Sequence, residues 1–385
     1  MIKKEFFSAC QSFITKHEGF LYFAPGRVNL LGDHTDYTGG HVLPIGIQYG
    51  TWLFIRLTGN DKITLSTKNL NQTVTIDKDN YNKPTKSWAD YPLGILNELI
   101  AKGLQFTGIE MVFYGDLPIG AGLASSASME MVTAFALNDL FSMRIDKPNL
   151  SKIAQHAEQE FVGVSCGIMD QYCIAFSQEN HALLIDCHSL EHQAIPIESK
   201  EYSLLIIDSK VKHKLSGSIY NKRVNELKKV KQLINGYFEI PYLGSLKGED
   251  YDWLDKLIES DLLKQRLRHV VNENTRVELA AECLKNHDFK SFGKLMFDSH
   301  ESLALDFGVS CKELDVLVDT AARTDGVAGA RMTGAGFGGC TINLVEKGAE
   351  EDIKKIILAD YKQKTGNEGV AYNIRLEGTL HKVEA

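Results

Sequence analysis

The first half of the chain mixes the hydrophobic periods of helices and of strands. Apolar residues from Phe6 to Ile14 recur at helical spacing, which predicts a short amphipathic helix at the start of the sequence. Strands are predicted where β-branched and aromatic residues are enriched, at 49–57, 62–66 and 108–114. The pattern also predicts a largely buried helix at 126–141, a second helix at 150–161, and a hairpin formed by 172–176 and 182–187.

The second half has a different texture, with long charged helices between few strands. Strands are predicted at 202–208 and 341–345, and helices at 218–234, 272–306 and 312–323. This order of elements predicts an α+β fold in two halves, and a length of 385 residues agrees with two domains. We therefore expect an N-terminal domain of residues 1–195 and a C-terminal domain of residues 196–385.

Composition narrows the classes of function. The 42 Lys+Arg and 50 Asp+Glu residues give a net charge of −8, so the chain lacks the basic field of proteins that bind duplex nucleic acid. No apolar run approaches the ~18 residues that a membrane-spanning helix needs, and we expect no membrane partner and no export signal. The seven cysteines include no C-x-x-C pair, which favours reduced thiols in the cytoplasm over disulfides or structural zinc.

The first of three glycine-bearing segments, residues 24–44, reads APGRVNLLGDHTDYTGGHVLP. Its many polar side chains make a poor core and a poor strand, and they suit a loop that gathers donors and acceptors on a small polar ligand. Carboxylates such as Asp33 and Asp36, with the His34 imidazole, can bind vicinal hydroxyls. A turn-rich surface loop without a ligand is the alternative, and His34 with Asp36 could also form half of a metal site.

The second segment, residues 116–128, reads DLPIGAGLASSAS and lies between a predicted strand and a predicted helix. Glycines at 120 and 122 let a ligand approach the backbone, and the helix start leaves N–H groups unpaired at a positive dipole end. These features predict a phosphate cradle, in which the serines could cap the helix or hold a cation. A capped helix without a ligand is the alternative, and no Walker A motif occurs in the chain.

The third segment, residues 331–340, reads RMTGAGFGGC and contains G-x-G-x-x-G from Gly334 to Gly339. In a dinucleotide-binding fold that fingerprint follows a strand and opens a helix. Here a helical pattern precedes it and a strand follows, so we reject a nicotinamide site and expect a flexible loop beside the phosphate cradle.

Two acidic residues have neighbours that indicate a function. Glu158 falls on the apolar face of the 150–161 helix, where a buried carboxylate needs a partner such as a divalent cation at the nearby serines. Asp170 follows Gly167 among apolar residues and could act as a general base or orient a nucleophilic hydroxyl, with Arg27 as its counter-charge. A solvent-facing Glu158 and a turn-capping Asp170 are the alternatives.

Together and in this order, these segments resemble the galacto-, homoserine, mevalonate and phosphomevalonate kinase superfamily, and most closely its galactokinases. The similarity rests on GRVNLLGDHTDY, LPIGAGLASSAS, GIMDQYC and RMTGAGFGGCTI. It implies an S5-like N-terminal domain, a ferredoxin-like C-terminal domain and an active site between them. It also implies an enzyme that uses ATP and Mg²⁺ to phosphorylate the anomeric C1 hydroxyl of D-galactose, the first committed step of galactose catabolism.

The resemblance also implies a role for each matching residue. The catalytic aspartate and its basic partner correspond to Asp170 and Arg27. The sugar contacts correspond to Asp33, His34, Asp36, Gly167 and Tyr220. The loop around the ATP phosphates corresponds to Gly120, Ala121, Gly122, Leu123, Ala124, Ser125 and Ser126, and the magnesium ligands to Ser126 and Glu158.

The chain departs from the family pattern at Asp33, Ala124 and Ala304-Leu305, and the departure at Asp33 bears on sugar specificity. Galactokinases usually carry glutamate where this chain has Asp33, a residue expected near the C6 hydroxyl of the sugar. The shorter side chain leaves room for a related sugar 1-kinase, acting on N-acetylgalactosamine or L-arabinose, and a non-catalytic sugar and ATP sensor is a further alternative. Ala124 replaces a usual serine, which we expect to be tolerated. The sequence leaves the oligomeric state open and is compatible with a monomer.

Overall fold

The computed structural model describes residues 2–16, 18–118, 122–212 and 216–384. Its helices are α1 (Ile2–Thr15), α2 (Asp90–Ala101), α3 (Ser125–Leu140), α4 (Lys147–His156), α5 (Met169–Phe176), α6 (Ser216–Asn235), α7 (Tyr251–Leu257), α8 (Asp261–Lys285), α9 (Phe289–Ser302), α10 (Lys312–Ala322) and α11 (Glu350–Thr365). Its strands are β1 (Phe20–Asn29), β2 (His41–Val42), β3 (Pro44–Leu57), β4 (Lys62–Thr67), β5 (Gln72–Asp77), β6 (Ile109–Gly115), β7 (His181–Asp186), β8 (His192–Pro196), β9 (Tyr202–Lys212), β10 (Val327–Thr333), β11 (Gly338–Glu346), β12 (Val370–Asn373) and β13 (His381–Lys382).

The larger sheet is built around the long strand β3. Its main path runs β13-β1-β3-β6-β4-β5, and β7 joins β2, β3 and β8 at one end. The pairs are antiparallel except for β4 with β6. One face is covered by α1, whose Phe6 and Cys10 pack on Leu21 and Phe54, while α2, α3 and α4 bury the other face. Both faces of β1 are therefore covered, so Arg27 on this strand lies in the interior.

The smaller sheet is antiparallel, in the order β10-β11-β9-β12. Helices α10 and α11 pack on one face through apolar residues such as Leu317 and Ile357. On the other face, α8 and α9 join a hydrophobic cluster that also contains residues of β1 and β3. The predicted α+β fold is confirmed. Within the described ranges, no helix is long and apolar enough to cross a membrane.

The division into domains at residue 195 remains a prediction, and two features of the structure bear on it. Strand β13 returns to the larger sheet, where it pairs with β1 through Tyr22 and Phe23. The hydrophobic cluster that includes Val28 from β1 and Ile342 from β11 is shared by both halves. The two halves thus cover a common interior, and the chain's last strand belongs to the first half.

Three sequence predictions are corrected by the structure. Residues 172–176 form part of α5 and not a hairpin strand, and β7 pairs instead with β8. A short run of apolar residues buried on every side does not distinguish helix from strand. The helix predicted at 272–306 is two helices, because Asp288 caps the start of α9 by accepting a hydrogen bond from the Ser291 amide.

The third correction concerns the predicted loop at 24–44. Its first six residues belong to β1, which is buried along nearly its whole length. Only residues 30–40 leave the sheet, and the chain rejoins it at residue 41 in β2; residues 30–41 are called here the 30–41 loop. The polar residues of the segment argue against a strand in the sequence, but the structure buries Arg27 within β1 by pairing it with Asp170.

Candidate active site

The start of α3 has the properties of a phosphate site. Gly122 and Ala124 both have left-handed backbone, with φ of +74° and +60°, and the helix begins at Ser125 without a side-chain cap. Its first N–H groups are therefore free to bind a ligand. The Ser128 hydroxyl instead donates to the carbonyl of Ala24 at 2.9 Å, so Ser128 does not cap the helix. Gly120 and Ala121, which were predicted to bind ATP, lie outside the described residues.

Arg27 and Asp170 form a bidentate ion pair. Nε of Arg27 donates to Oδ1 of Asp170 at 2.7 Å, and Nη2 donates to Oδ2 at 2.6 Å. The third guanidinium nitrogen, Nη1, donates to the carbonyl of Gly122 at 2.6 Å. Asp170 comes from the first turn of α5 and Arg27 from β1, so the pair joins two elements beside the phosphate loop. The structure thus brings together the two residues predicted to be catalytic.

The charge of Arg27 is fixed by this arrangement. Burial acts to lower the pKa of Arg27, but the attraction and hydrogen bonds of Asp170 outweigh it and raise the pKa. The side chain of Asp170 is more open, with 26% of its surface exposed against 7% for Arg27. Asp170 can therefore reach a ligand while the guanidinium holds its carboxylate in one orientation.

Asp36 and Gly167 meet at one wall of the site. A Cβ atom on Gly167 would collide with the carboxylate of Asp36, so glycine is required for this close approach. Burial and, second, the negative charge of Asp170 raise the pKa of Asp36 to about 7. Asp36 and Asp170 both line the small cavity and are suited to accept hydrogen bonds from the hydroxyls of a neutral ligand.

His34 is held in a neutral form by its surroundings. Burial is the main cause that lowers its pKa to about 4. Its Nε2 faces the carbonyl of Ala335 at 3.2 Å and must carry the proton, while Nδ1 lies 3.0 Å from the hydroxyl of Tyr37. The ring of Tyr220 from α6 stands 5.5 Å from the imidazole ring, centroid to centroid. The rings of His34 and Tyr220 thus contribute apolar surface to the lining of the cavity.

Asp33 is paired with an arginine that sequence reasoning did not assign. Its Oδ2 accepts a hydrogen bond from Nη2 of Arg331, and both side chains are almost completely buried. Nη1 of Arg331 also donates to the carbonyl of Leu30 at 3.0 Å. Strand β10 thereby anchors the start of the 30–41 loop, and Asp33 is held on the β10 side of the cavity.

A buried amide connects two further carboxylates below the phosphate loop. Nε2 of Gln171 donates to Glu158 at 2.7 Å and to Glu130 at 3.2 Å. Burial is the main cause that raises the pKa of both acids. The negative charge of Glu158 raises the pKa of Glu130 further, and the negative charge of Asp170 raises that of Glu158. Hydrogen bonds from Cys166, Ser126 and Gln171 act in the opposite direction on Glu158.

This cluster fits a magnesium ion. Glu130 and Gln171 each keep one buried side-chain oxygen without a hydrogen-bond partner, and Ser126 at the start of α3 acts to lower the pKa of Glu158. Mg²⁺ is commonly held by one or two carboxylates together with substrate phosphates and water. The described residues contain no cluster of three or more His, Cys, Asp or Glu arranged for a metal ion.

A cavity of about 240 Å³ collects these groups. It is small for a ligand pocket and suits a single sugar ring. Its lining includes every residue predicted to be catalytic or to contact the sugar, namely Arg27, Asp33, His34, Asp36, Gly167, Asp170 and Tyr220, and also Glu158. A larger cleft of about 710 Å³ lies on the other side of Asp36 and is lined mainly by residues without a predicted role.

Several residues of the site were not found from the sequence. The sequence does hold a signal for two of them. Glu130 lies four residues after Ser126, on the same face of the predicted helix, and Gln171 directly follows Asp170. Arg331 begins the third glycine segment, in which the glycines are the stronger sequence signal. That loop lies beside the phosphate loop, since a Cβ on Gly334 would fall 3.1 Å from the carbonyl oxygen of Gly122.

Three family models match consecutive parts of the chain. They are the galactokinase galactose-binding signature at residues 10–57, the N-terminal domain of GHMP kinases at 90–178 and the C-terminal region of GHMP kinases at 280–363. The first contains Arg27 and the whole 30–41 loop, the second contains α3 and Asp170, and the third contains the glycine loop after β10.

Curated relatives and solved structures agree with these matches. The galactokinase of Clostridium tetani (strain Massachusetts / E88) is 40% identical over 93% of this chain and 92% of its own length. The galactokinase of Thermotoga maritima is 38% identical over 94% of this chain and 99% of its own length. The crystal structure of Lactococcus lactis galactokinase complexed with galactose has a TM-score of 0.94 at 33% identity, covering 98% and 99% of the two chains. A mevalonate kinase from Methanococcus jannaschii shares the fold, with a TM-score of 0.67. The chain belongs to the galactokinase family of the GHMP kinases.

Proposed function

We propose that this protein transfers the γ-phosphoryl group of ATP to the anomeric C1 hydroxyl of D-galactose, giving α-D-galactose 1-phosphate and ADP. The observation that carries the proposal is the bidentate Arg27–Asp170 pair beside the uncapped start of α3. Membership of the galactokinase family and the galactose complex of the similar Lactococcus lactis enzyme support the choice of sugar.

In this reaction Asp170 acts on the sugar hydroxyl. Its carboxylate accepts or orients the C1 hydroxyl proton, while Arg27 keeps both carboxylate oxygens in place. The sugar oxygen forms a bond to the γ-phosphorus as the bond to the β,γ-bridging oxygen breaks. Much of the rate gain comes from this positioning.

The phosphate groups are held by the start of α3 and the loop before it, from Gly120 to Ser126. The helix dipole and free N–H groups, together with the Arg27 guanidinium, neutralise the charge that develops on the transferred group. Ser126 and Glu158 would hold Mg²⁺, which supplies positive charge to the phosphate oxygens when bound.

The sugar is recognised by groups that face one another across the small cavity. Asp36 and Asp33 offer carboxylate oxygens, the backbone at Gly167 allows close approach, and His34 and Tyr220 supply an apolar side with a neutral imidazole. We infer a cytoplasmic location, which the seven free cysteines support.

The test is an ADP-release assay on the purified full-length protein with galactose and with analogues changed at C2, C4 or C6. We expect galactose to be phosphorylated at C1, as verified by NMR of the product. Faster turnover of N-acetylgalactosamine or L-arabinose would show that the sugar is wrongly assigned. Sugar and ATP binding without any ADP release would indicate a sensor on this fold.

A further inference from the structure

Helix α8 contacts the backbone of the 30–41 loop through a row of three polar side chains. They are His269, Glu273 and Asn274, which lie at i, i+4 and i+5 on one face of the helix and are at most 1% exposed. None of the three lines the small cavity. Helix α8 therefore touches the loop from behind, on the side away from the proposed sugar.

Each side chain of the row binds a backbone group of the loop. Oε1 of Glu273 accepts from the amide of Gly32 at 2.8 Å. Nε2 of His269 donates to the carbonyl of Asp33 at 3.1 Å. At the far end of the loop, Oδ1 of Asn274 accepts from the amide N–H of residue 41 at 2.9 Å. These bonds fix the backbone immediately before His34 and again where the loop ends.

The bonded backbone is strained at this point. Gly32 has a φ of +96°, and His34 has a φ of +68° although it is not a glycine. A non-glycine residue in this region costs of order 1–3 kcal/mol and persists only when its surroundings hold it there. The strained residue is the one whose imidazole lines the cavity, so the strain lies at the ligand-facing part of the loop.

The negative charge of Glu273 is compensated within α8 and α9, and no side chain of the 30–41 loop is needed for this. Glu273 also accepts from Ser299 at 2.7 Å and from Nε of Arg276 at 2.7 Å. Burial acts to raise its pKa, but chiefly the charge of Arg276 lowers it to about 2. His269 is neutral, because burial lowers its pKa to about 4, and its Nδ1 pairs with Ser302. The row can thus hold the loop in a single arrangement.

We propose that His269, Glu273 and Asn274 are positioning residues that hold the 30–41 loop in its left-handed turn and thereby set the affinity for the sugar. We call these three residues the α8 clamp. The proposal rests on the proposed function, because it takes the cavity beside the loop as the sugar site. The clamp touches neither the sugar nor the phosphate loop, so it should act on sugar binding and leave ATP binding unchanged.

His269 offers a matched pair of variants. His269→Leu keeps an apolar volume but removes the donor to the Asp33 carbonyl, and it leaves no buried charge behind because the imidazole is neutral. His269→Gln can restore an N–H donor near the position of Nε2. Glu282→Gln, an exposed change on the same helix, serves as the control.

The measurements are the Kd for galactose and the Kd for ADP by calorimetry, and the KM values for sugar and ATP. We expect His269→Leu to raise the Kd and KM for galactose by about 10-fold or more, with the nucleotide constants within about 2-fold of wild type. His269→Gln should recover most of the loss, and Glu282→Gln should match wild type. If His269→Leu does not fold, Asn274→Ala provides the same comparison at the other end of the loop.

The outcomes separate the two hypotheses. Absence of galactose binding by the wild-type protein would refute the proposed function. Normal galactose binding by wild type together with an unchanged galactose Kd in folded His269→Leu would refute the clamp. Equal losses for sugar and nucleotide, or failure of both His269→Leu and Asn274→Ala to fold, would also refute it, since the row would then serve general stability.

Discussion

Replacing Asp170 with asparagine tests the catalytic assignment while keeping the shape of the side chain. The substitution removes the negative charge and one of the two oxygens that bind Arg27. An asparagine oxygen can still accept one hydrogen bond from the guanidinium. The variant therefore loses the proton acceptor for the sugar hydroxyl but still fills the space of the side chain. An alanine at this position would leave that space empty.

The expected loss of activity follows from the role of a positioned base. General acid–base catalysis contributes about 10²–10⁴-fold to a rate, which corresponds to about 2.7–5.5 kcal/mol of activation free energy. We expect the Asp170→Asn substitution to lower kcat by a factor within this range. The KM for ATP should change little, because the first N–H groups of α3 are not altered.

The expected effect on stability is smaller than that on activity. Breaking a fully buried ion pair costs about 3–5 kcal/mol, but the Asp170 side chain is 26% exposed and asparagine keeps one hydrogen bond. We therefore expect a loss of about 1–3 kcal/mol, seen as a melting temperature lower by a few degrees. The folded fraction at assay temperature should be unaffected.

Asp139→Asn is the matched control for this variant. Asp139 also accepts two hydrogen bonds, from Tyr22 at 2.6 Å and from Lys382 at 2.8 Å, but it lies near the other end of α3. It should lose stability and keep kcat. The assay is ADP release at saturating galactose and ATP, with unfolding followed by circular dichroism. If Asp170→Asn retained kcat within tenfold of wild type while folded, Asp170 would not be the proton acceptor.

Three further substitutions probe the sugar wall and the metal site. Gly167→Ala places a methyl group against the Asp36 carboxylate and should raise the KM for galactose about 10- to 100-fold with the KM for ATP unchanged, measured by initial rates. Asp36 has a folded pKa of about 7 against an ordinary value of 3.8, so the folded state binds more protons between these values and loses stability as pH rises through them. The measurement is the free energy of unfolding in urea from about pH 4 to 8. The difference between Asp36→Asn and wild type should grow in favour of the variant up to about pH 7 and stay constant above it. Glu158→Gln should weaken Mn²⁺ binding in the presence of ADP by about 10- to 100-fold, measured by electron paramagnetic resonance, and unchanged affinity would contradict the metal role.

The parts of the site that the sequence reveals are those whose chemistry is concentrated in short segments. The stretch around Arg27, the start of α3 and the segment before Asp170 each combine glycine with polar residues in a way that packing alone does not require. Their order along the chain then matched a family pattern. The structure adds the contact between Arg27 and Asp170, which are 143 residues apart and whose pairing no local pattern could show.

The α8 clamp shows what local patterns cannot show. His269, Glu273 and Asn274 occur in a helix that reads as an ordinary charged amphipathic segment, and nothing near them in sequence names their partners. Each binds a backbone group more than 230 residues away. Because a backbone amide or carbonyl has the same chemistry at every residue, such contacts leave no residue-type signal in the loop, and only the three-dimensional arrangement identifies them.

The role of Asp33 is understood only when the sequence and the structure are considered together, and it leads to a prediction about the C6 position of the sugar. The resemblance to galactokinases implies glutamate at this position, so the sequence predicts a carboxylate that reaches one methylene less far into the cavity. The structure shows this shorter side chain paired with Arg331, which has no exposed surface. Releasing either partner would leave a buried charge unpaired, so the carboxylate stays with Arg331 and turns less of its hydrogen-bonding capacity toward the sugar. We therefore expect the loss of kcat/KM to be smaller for galactose analogues altered at C6 than for those altered at C2 or C4, and a larger loss at C6 would show that Asp33 binds the C6 hydroxyl despite its pairing.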